Sequence, residues 1–150
     1  MRARFSILGF LVAGVMAPAL SVLIYAIGSR FLPVPDTDPL SSAGGLVPAA
    51  FLATIYGLIP SLAFGGMGLA VLRKLAKSES RLALAVAGGA AAGLYVAAGL
   101  AMAAIAPGFA VLIAIWTGVL SDTIPALVFG AIGLSGVVAG LIYSAFAKRG

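Results

Sequence analysis

The stretch LALAVAGGAAAGLYVAAGLAMAAIA, Leu82 to Ala106, carries no charge and no proline, and the Tyr95 hydroxyl is its one hydrogen-bonding side-chain group. As a helix it would rise about 38 Å at 1.5 Å per residue, enough to cross the ~30 Å hydrocarbon layer of a bilayer. Nothing in it would favour water on any face. The stretch reads as a membrane span, and the rest of the chain decides whether it stands alone.

It does not stand alone. Toward the N-terminus, residues 46–72 are uncharged until Arg73, and residues 5–29 are uncharged until Arg30. Pro33, Pro35, Asp36, Asp38 and Pro39 follow Arg30 and make continued helix in lipid costly, so 30–45 is expected to be an external loop. Residues 73–81 hold Arg73, Lys74, Lys77, Glu79 and Arg81 and form a short charged turn. Toward the C-terminus, Pro107-Gly108 ends the third span, and residues 109–147 hold a single charge, Asp122. As one helix, 109–147 would measure about 58 Å, far too long for a simple crossing. We read a short re-entrant or interfacial helix at 109–120, anchored by Trp116, then a fourth span at 124–147. The alternative is one long helix broken inside the membrane at Asp122 and Pro125.

The expected fold is therefore all-α: an integral membrane four-helix bundle, one transmembrane domain over residues 1–150. Composition agrees, with 63% hydrophobic and 9% charged residues where soluble domains hold roughly 45–50% and 25%. Arg2 and Arg4 before an apolar run resemble a signal peptide, but that run exceeds a ~7–15 residue h-region and reads as a retained span.

Basic loops stay in the cytoplasm. With both termini inside, Arg2, Arg4, Arg73, Lys74, Lys77, Arg81, Lys148 and Arg149 all lie on the cytoplasmic side and only Arg30 lies outside, with Asp36, Asp38 and Asp122. The net charge of +5, which in a soluble chain would suggest an anionic partner, is explained by this topology. The expected partners are the lipid bilayer and other membrane helices, from different subunits or from a second copy, and not nucleic acid. The short chain, leaning to Ala, Gly and Arg, points to a bacterial inner membrane.

Helices in lipid associate through close backbone approach, which small residues at every fourth position allow. Span two has Ala49, Ala53, Gly57, Ser61 and Gly65. Span three has Ala85, Gly89, Gly93, Ala97 and Ala101, and span four has Gly136, Gly140 and Ser144, extended by Ala126, Gly130 and Gly133. Pro18 and Pro60 fall within spans and predict kinks. The segment from Pro60 to Leu69 echoes that from Pro125 to Leu134 at Pro, Leu, Phe, both Gly and the final Leu. A duplicated hairpin would set Pro60 and Pro125 at equal depth and carry Asp122 into the membrane.

Chemistry is scarce. There is no cysteine and no histidine, which removes disulfides, thiol nucleophiles, thiolate metal sites, the usual haem and zinc ligands and the neutral-pH proton shuttle. The Asp36–Asp38 pair, lacking a third acid, reads as a solvated turn before it reads as a cation site. Asp122, ahead of Pro125, reads first as a helix N-cap; at mid-membrane depth it would become a candidate for proton or cation coupling. The cluster Arg73, Lys74, Lys77 and Arg81 fixes topology and faces anionic lipid. No motif names a family, and no catalytic residue, cofactor or metal site is expected. The expected function is that of a non-catalytic structural or accessory subunit. The alternative is a small transporter or channel component using the proline-kinked helices and Asp122.

Overall fold

The computed structural model describes residues 5–32, 43–75, 80–106 and 125–147. Among them every regular element is helical: α1 (Ile7–Gly28), a 3-10 turn (Ser29–Phe31), α2 (Ala43–Leu75), α3 (Arg81–Ile105) and α4 (Pro125–Ala147). All four long helices are long and apolar enough to cross a membrane.

Local chemistry sets the ends. Ser6 caps α1, its Oγ accepting from the Gly9 N–H at 3.0 Å, and Ser80 caps α3, its Oγ accepting from the Ala83 N–H at 3.1 Å. Two helices stop where a proline follows, because the pre-proline residue avoids the helical region. Leu32, before Pro33, is extended, and Ala106, before Pro107, has φ −133° and ψ 72°. Pro125 opens α4, where its missing N–H costs nothing.

α2 is longer than the sequence suggests. It spans 33 residues, about 50 Å, so Ala43-Gly44-Gly45 and Arg73-Lys74-Leu75 are helical rather than parts of the flanking loop and turn. The glycines and Pro48 disguise its start. Pro48 sits only five residues in, so it removes a single bond, and it does not stop the helix.

Size is distributed inside out. The buried positions are mostly Ala, Gly and Ser, with Pro18, Tyr25, Pro60, Leu84, Val128 and Tyr143 the larger exceptions. Large apolar side chains point outward: Ile59 is 78% and Ile105 83% exposed. An aqueous fold would reverse this arrangement, whereas lipid rewards close backbone contact inside and does not penalise apolar surface outside.

The helices touch in the order α1, α2, α3, α4 and back to α1, each antiparallel to its neighbours. α3 and α4 make the closest approach. A Cβ at Gly88 would overlap the Gly136 carbonyl, one at Gly136 the Gly88 carbonyl, and one at Gly140 the Leu84 carbonyl. α1 and α2 meet where a Cβ at Gly57 would lie 2.8 Å from the Pro18 ring. α1 and α4 meet at both ends, Gly9 against Phe146 and Gly28 against Leu127. The thinnest neighbouring contact is between α2 and α3, where Gly68 lies against Ala87 and Ala91, and Phe64 stacks edge-on with Tyr95 at 5.6 Å.

These contacts correct the reading of the Pro60 and Pro125 echo. Pro60 lies between Gly57 and Ser61, which face Pro18 and Gly14, whereas Leu127, two residues into α4, faces Gly28. From Pro18 to Gly28 along α1 is about 15 Å. The two prolines therefore stand at different levels, and the repeat does not describe a duplicated hairpin of matched depth.

Candidate functional site

All four helices line one crevice of about 210 Å³. Its shape follows from the glycines and alanines: side chains too small to fill the centre leave it open, while Gly88, Gly136 and Gly140 hold α3 and α4 together along one side. Pro18 and Pro60, both buried, contribute rings to its wall.

Four tyrosines line it, Tyr25, Tyr56, Tyr95 and Tyr143, and three of them mark its length. Tyr143, 2% exposed, lies with Ala13, Leu84 and Ala147 near the end that carries Arg73, Lys74 and Arg81, hereafter the basic end. The Phe5 ring stands 6.3 Å from that of Tyr143. Tyr25, also 2% exposed, packs with Val128 and Ala131 toward the opposite end. Tyr95 lies on the α3 wall beside Phe64.

The serines of the wall direct their hydroxyls to helix carbonyls. Ser21 donates to Pro18 O at 2.7 Å and Ser135 to Ile132 O at 2.8 Å. Ser61 has two acceptors for its one proton, Gly14 O at 2.7 Å and Leu58 O at 3.0 Å. The crevice thus presents an apolar wall in which the serine hydroxyls are already engaged, and among the described residues tyrosine is the only ionisable type lining it. Among the described residues no group of three His, Cys, Asp or Glu side chains comes together. Such a wall suits an apolar occupant and offers no acid–base pair.

No family model, curated protein or solved structure matches this chain.

Of the positions singled out in the sequence, Gly57, Ser61 and Gly65 turn toward α1, Gly65 lying opposite the Phe10 ring. Gly89, Gly136 and Gly140 lie in the α3–α4 contact, Gly89 against Val137. Among the described residues nothing lies within 4 Å of a Cβ at Gly93, and the same holds at Gly130 and Gly133. Pro60 lines the crevice, while Pro125 is exposed at the start of α4. Arg73 and Lys74 end α2, and Arg81 begins α3. Asp36, Asp38, Lys77, Asp122 and the segment 109–120 with Trp116 lie outside the described residues.

Sequence reasoning missed Gly88 and Gly14. The Gly88-Gly89 doublet was a signal for the first, since two adjacent glycines, about 100° apart on the helix, clear a wider face for close backbone approach than either alone. Gly14 stands four residues before Pro18, the position whose carbonyl that proline cannot bond.

Proposed function

We propose that the protein is a non-catalytic integral membrane protein, a four-helix bundle with both termini in the cytoplasm, acting as a structural or accessory subunit of a larger complex or homo-oligomer. A bacterial inner membrane fits the Ala-, Gly- and Arg-leaning composition of the chain. The observation that carries the reading is the use of glycine in α3 and α4. Near the basic end their glycines are spent on each other, at Gly88, Gly136 and Gly140. Toward the opposite end a Cβ at Gly93, Gly130 or Gly133 would meet none of the described residues within 4 Å. Lipid-facing positions gain nothing from glycine, which weakens a helix by about 1 kcal/mol relative to alanine. A row of open glycines is the surface on which another helix approaches closely.

The orientation rests on charge. Helix α1 starts, α2 ends and α3 starts at the basic end, and by sequence Arg2, Arg4, Lys77, Lys148 and Arg149 flank the same side.

Gentle detergent extraction of the full chain should bring down other membrane chains in fixed ratio, or a defined homo-oligomer. A monodisperse monomer that carries nothing with it would overturn the proposal. A second reading, a transporter or channel component, draws on Pro18 and Pro60 facing one crevice, where kinked helices are able to hinge. On that reading Asp122→Asn abolishes flux in reconstituted vesicles; unchanged flux sinks the role of Asp122.

A further inference from the structure

The crevice has an opening, and its place follows from the rotation of α2. Gly57 and Ser61 face α1, at Pro18 and Gly14, while Phe64 meets Tyr95 of α3. Tyr56, Pro60 and Phe64 recur every fourth residue, so Tyr56 stands on the α3-facing side, about two turns beyond the Phe64–Tyr95 pair. The other contact of α2 with α3, Gly68 against Ala87 and Ala91, lies one turn back toward the basic end. The α2 wall of the crevice runs on to Ala53, whereas among the described residues the α3 wall ends at Tyr95. Tyr56 both lines the crevice and is 56% exposed. Beyond Phe64 the two helices therefore part and leave a window between them. Tyr56 lies about 15 Å inside the uncharged run 46–72, so the window opens onto the hydrocarbon of the bilayer and not onto water.

The geometry points to a binding site for a compact, uncharged ring compound, which dissolves first in the lipid and enters the crevice through this window. Volume sets the size. About 210 Å³ exceeds the ~150 Å³ of an apolar cavity that stays dry and accepts benzene, leaving room for a substituted ring. The wall sets the chemistry. Among the described residues no charged side chain lines it, and Ser21, Ser61 and Ser135 already donate to carbonyls, so an apolar guest would strip no hydrogen bond from them. Phe10, Tyr25, Tyr56, Phe64, Tyr95 and Tyr143 bring aromatic rings to the wall, and aromatic surfaces favour a ring over an aliphatic guest through edge-to-face and offset contacts. The subunit reading rests on other positions, Gly93, Gly130 and Gly133, and does not depend on this site.

The test uses the full chain in mild detergent with toluene as the probe, followed by thermal unfolding. Wild type should gain about 2–4 °C in its midpoint once toluene exceeds its dissociation constant about fivefold. Ala17→Phe, which sets a ring of its own from α1 into the crevice, should abolish the gain while helicity by circular dichroism stays at the wild-type level. Ala53→Phe, at the window, serves if that variant misfolds. Hexadecane, apolar but drawn out into a chain, should shift neither protein. No gain for wild type at saturating toluene overturns the proposal. So does an equal gain in a folded crevice-filling variant, which would mean that toluene acts through the micelle, or an equal gain with hexadecane, which would mean that the crevice takes a lipid-like chain.

Discussion

The Ser61 hydroxyl of α2 donates to the Gly14 carbonyl of α1 at 2.7 Å, and Gly14 is the residue whose usual helical partner would be the N–H that Pro18 lacks. One helix thus repairs the break in another. A Cβ at Gly57 would lie 2.8 Å from the Pro18 ring, so α2 also fits its backbone against the proline one turn away. With no water in a hydrocarbon core, a carbonyl freed by proline needs such a donor from a neighbouring helix. The same contact fixes the register of α1 on α2.

Ser61→Ala should therefore destabilise the fold by about 1 kcal/mol, the scale of hydrogen bonds between membrane helices. The informative experiment is a double-mutant cycle with Pro18→Ala, followed by thermal or SDS unfolding in micelles. Pro18→Ala restores a backbone N–H for Gly14, so in that background the loss from Ser61→Ala should fall to a few tenths of a kcal/mol. An undiminished loss would show that the serine acts through Leu58 O or through packing instead.

Gly88→Ala should cost about 1–3 kcal/mol, the range for overpacking a filled contact, because its methyl group would overlap the Gly136 carbonyl and push α3 from α4. Gly93→Ala, barely more than one turn along the same helix, should be neutral or stabilising by up to about 1 kcal/mol, since alanine is the better helix former and nothing stands in its way. Parallel unfolding curves for the two variants decide the point. Similar losses would mean that α3 and α4 do not approach each other as described.

The contrast between Gly88 and Gly93 also shows what the sequence could convey. Uncharged length, Pro33, Pro107 and the charges around Arg73 marked the apolar helices and, to within a few residues, their ends, because those signals are local. Which face of a helix meets a neighbour is decided by rotation, and in an Ala- and Gly-rich helix several stripes compete. The small residues at 85, 89, 93, 97 and 101 form a regular series, yet the closest contact falls on Gly88, one position away. The crevice was not legible either, because a void is made by what four distant segments fail to fill. The repair of Pro18 was readable only as a requirement: the freed carbonyl was evident, its donor was not.

If the open glycines receive another helix, filling them should abolish association without harming the monomer. Gly93→Leu combined with Gly133→Leu should leave the unfolding free energy at or above that of wild type, since leucine is the better helix former and no described residue meets a Cβ at either position. The same protein should lose its copurifying chains or its oligomer on gentle extraction, read by native mass spectrometry. Retained association in a folded double variant would move the interface elsewhere.

The chain has no cysteine, so an introduced thiol is an unambiguous topological reporter. Phe31 and Leu75 are exposed at opposite ends of the helices, 83% and 80% respectively, Phe31 after α1 and Leu75 at the end of α2. With basic flanks held in the cytoplasm, Phe31→Cys should react with a membrane-impermeant maleimide added to intact spheroplasts. Leu75→Cys should react only after permeabilisation. The opposite pattern would invert the orientation and place Arg73, Lys74 and Arg81 outside, against the excess of basic residues at that end. Reaction of both from one side would remove the crossing itself, because α2 carries the chain from the level of one label to the level of the other.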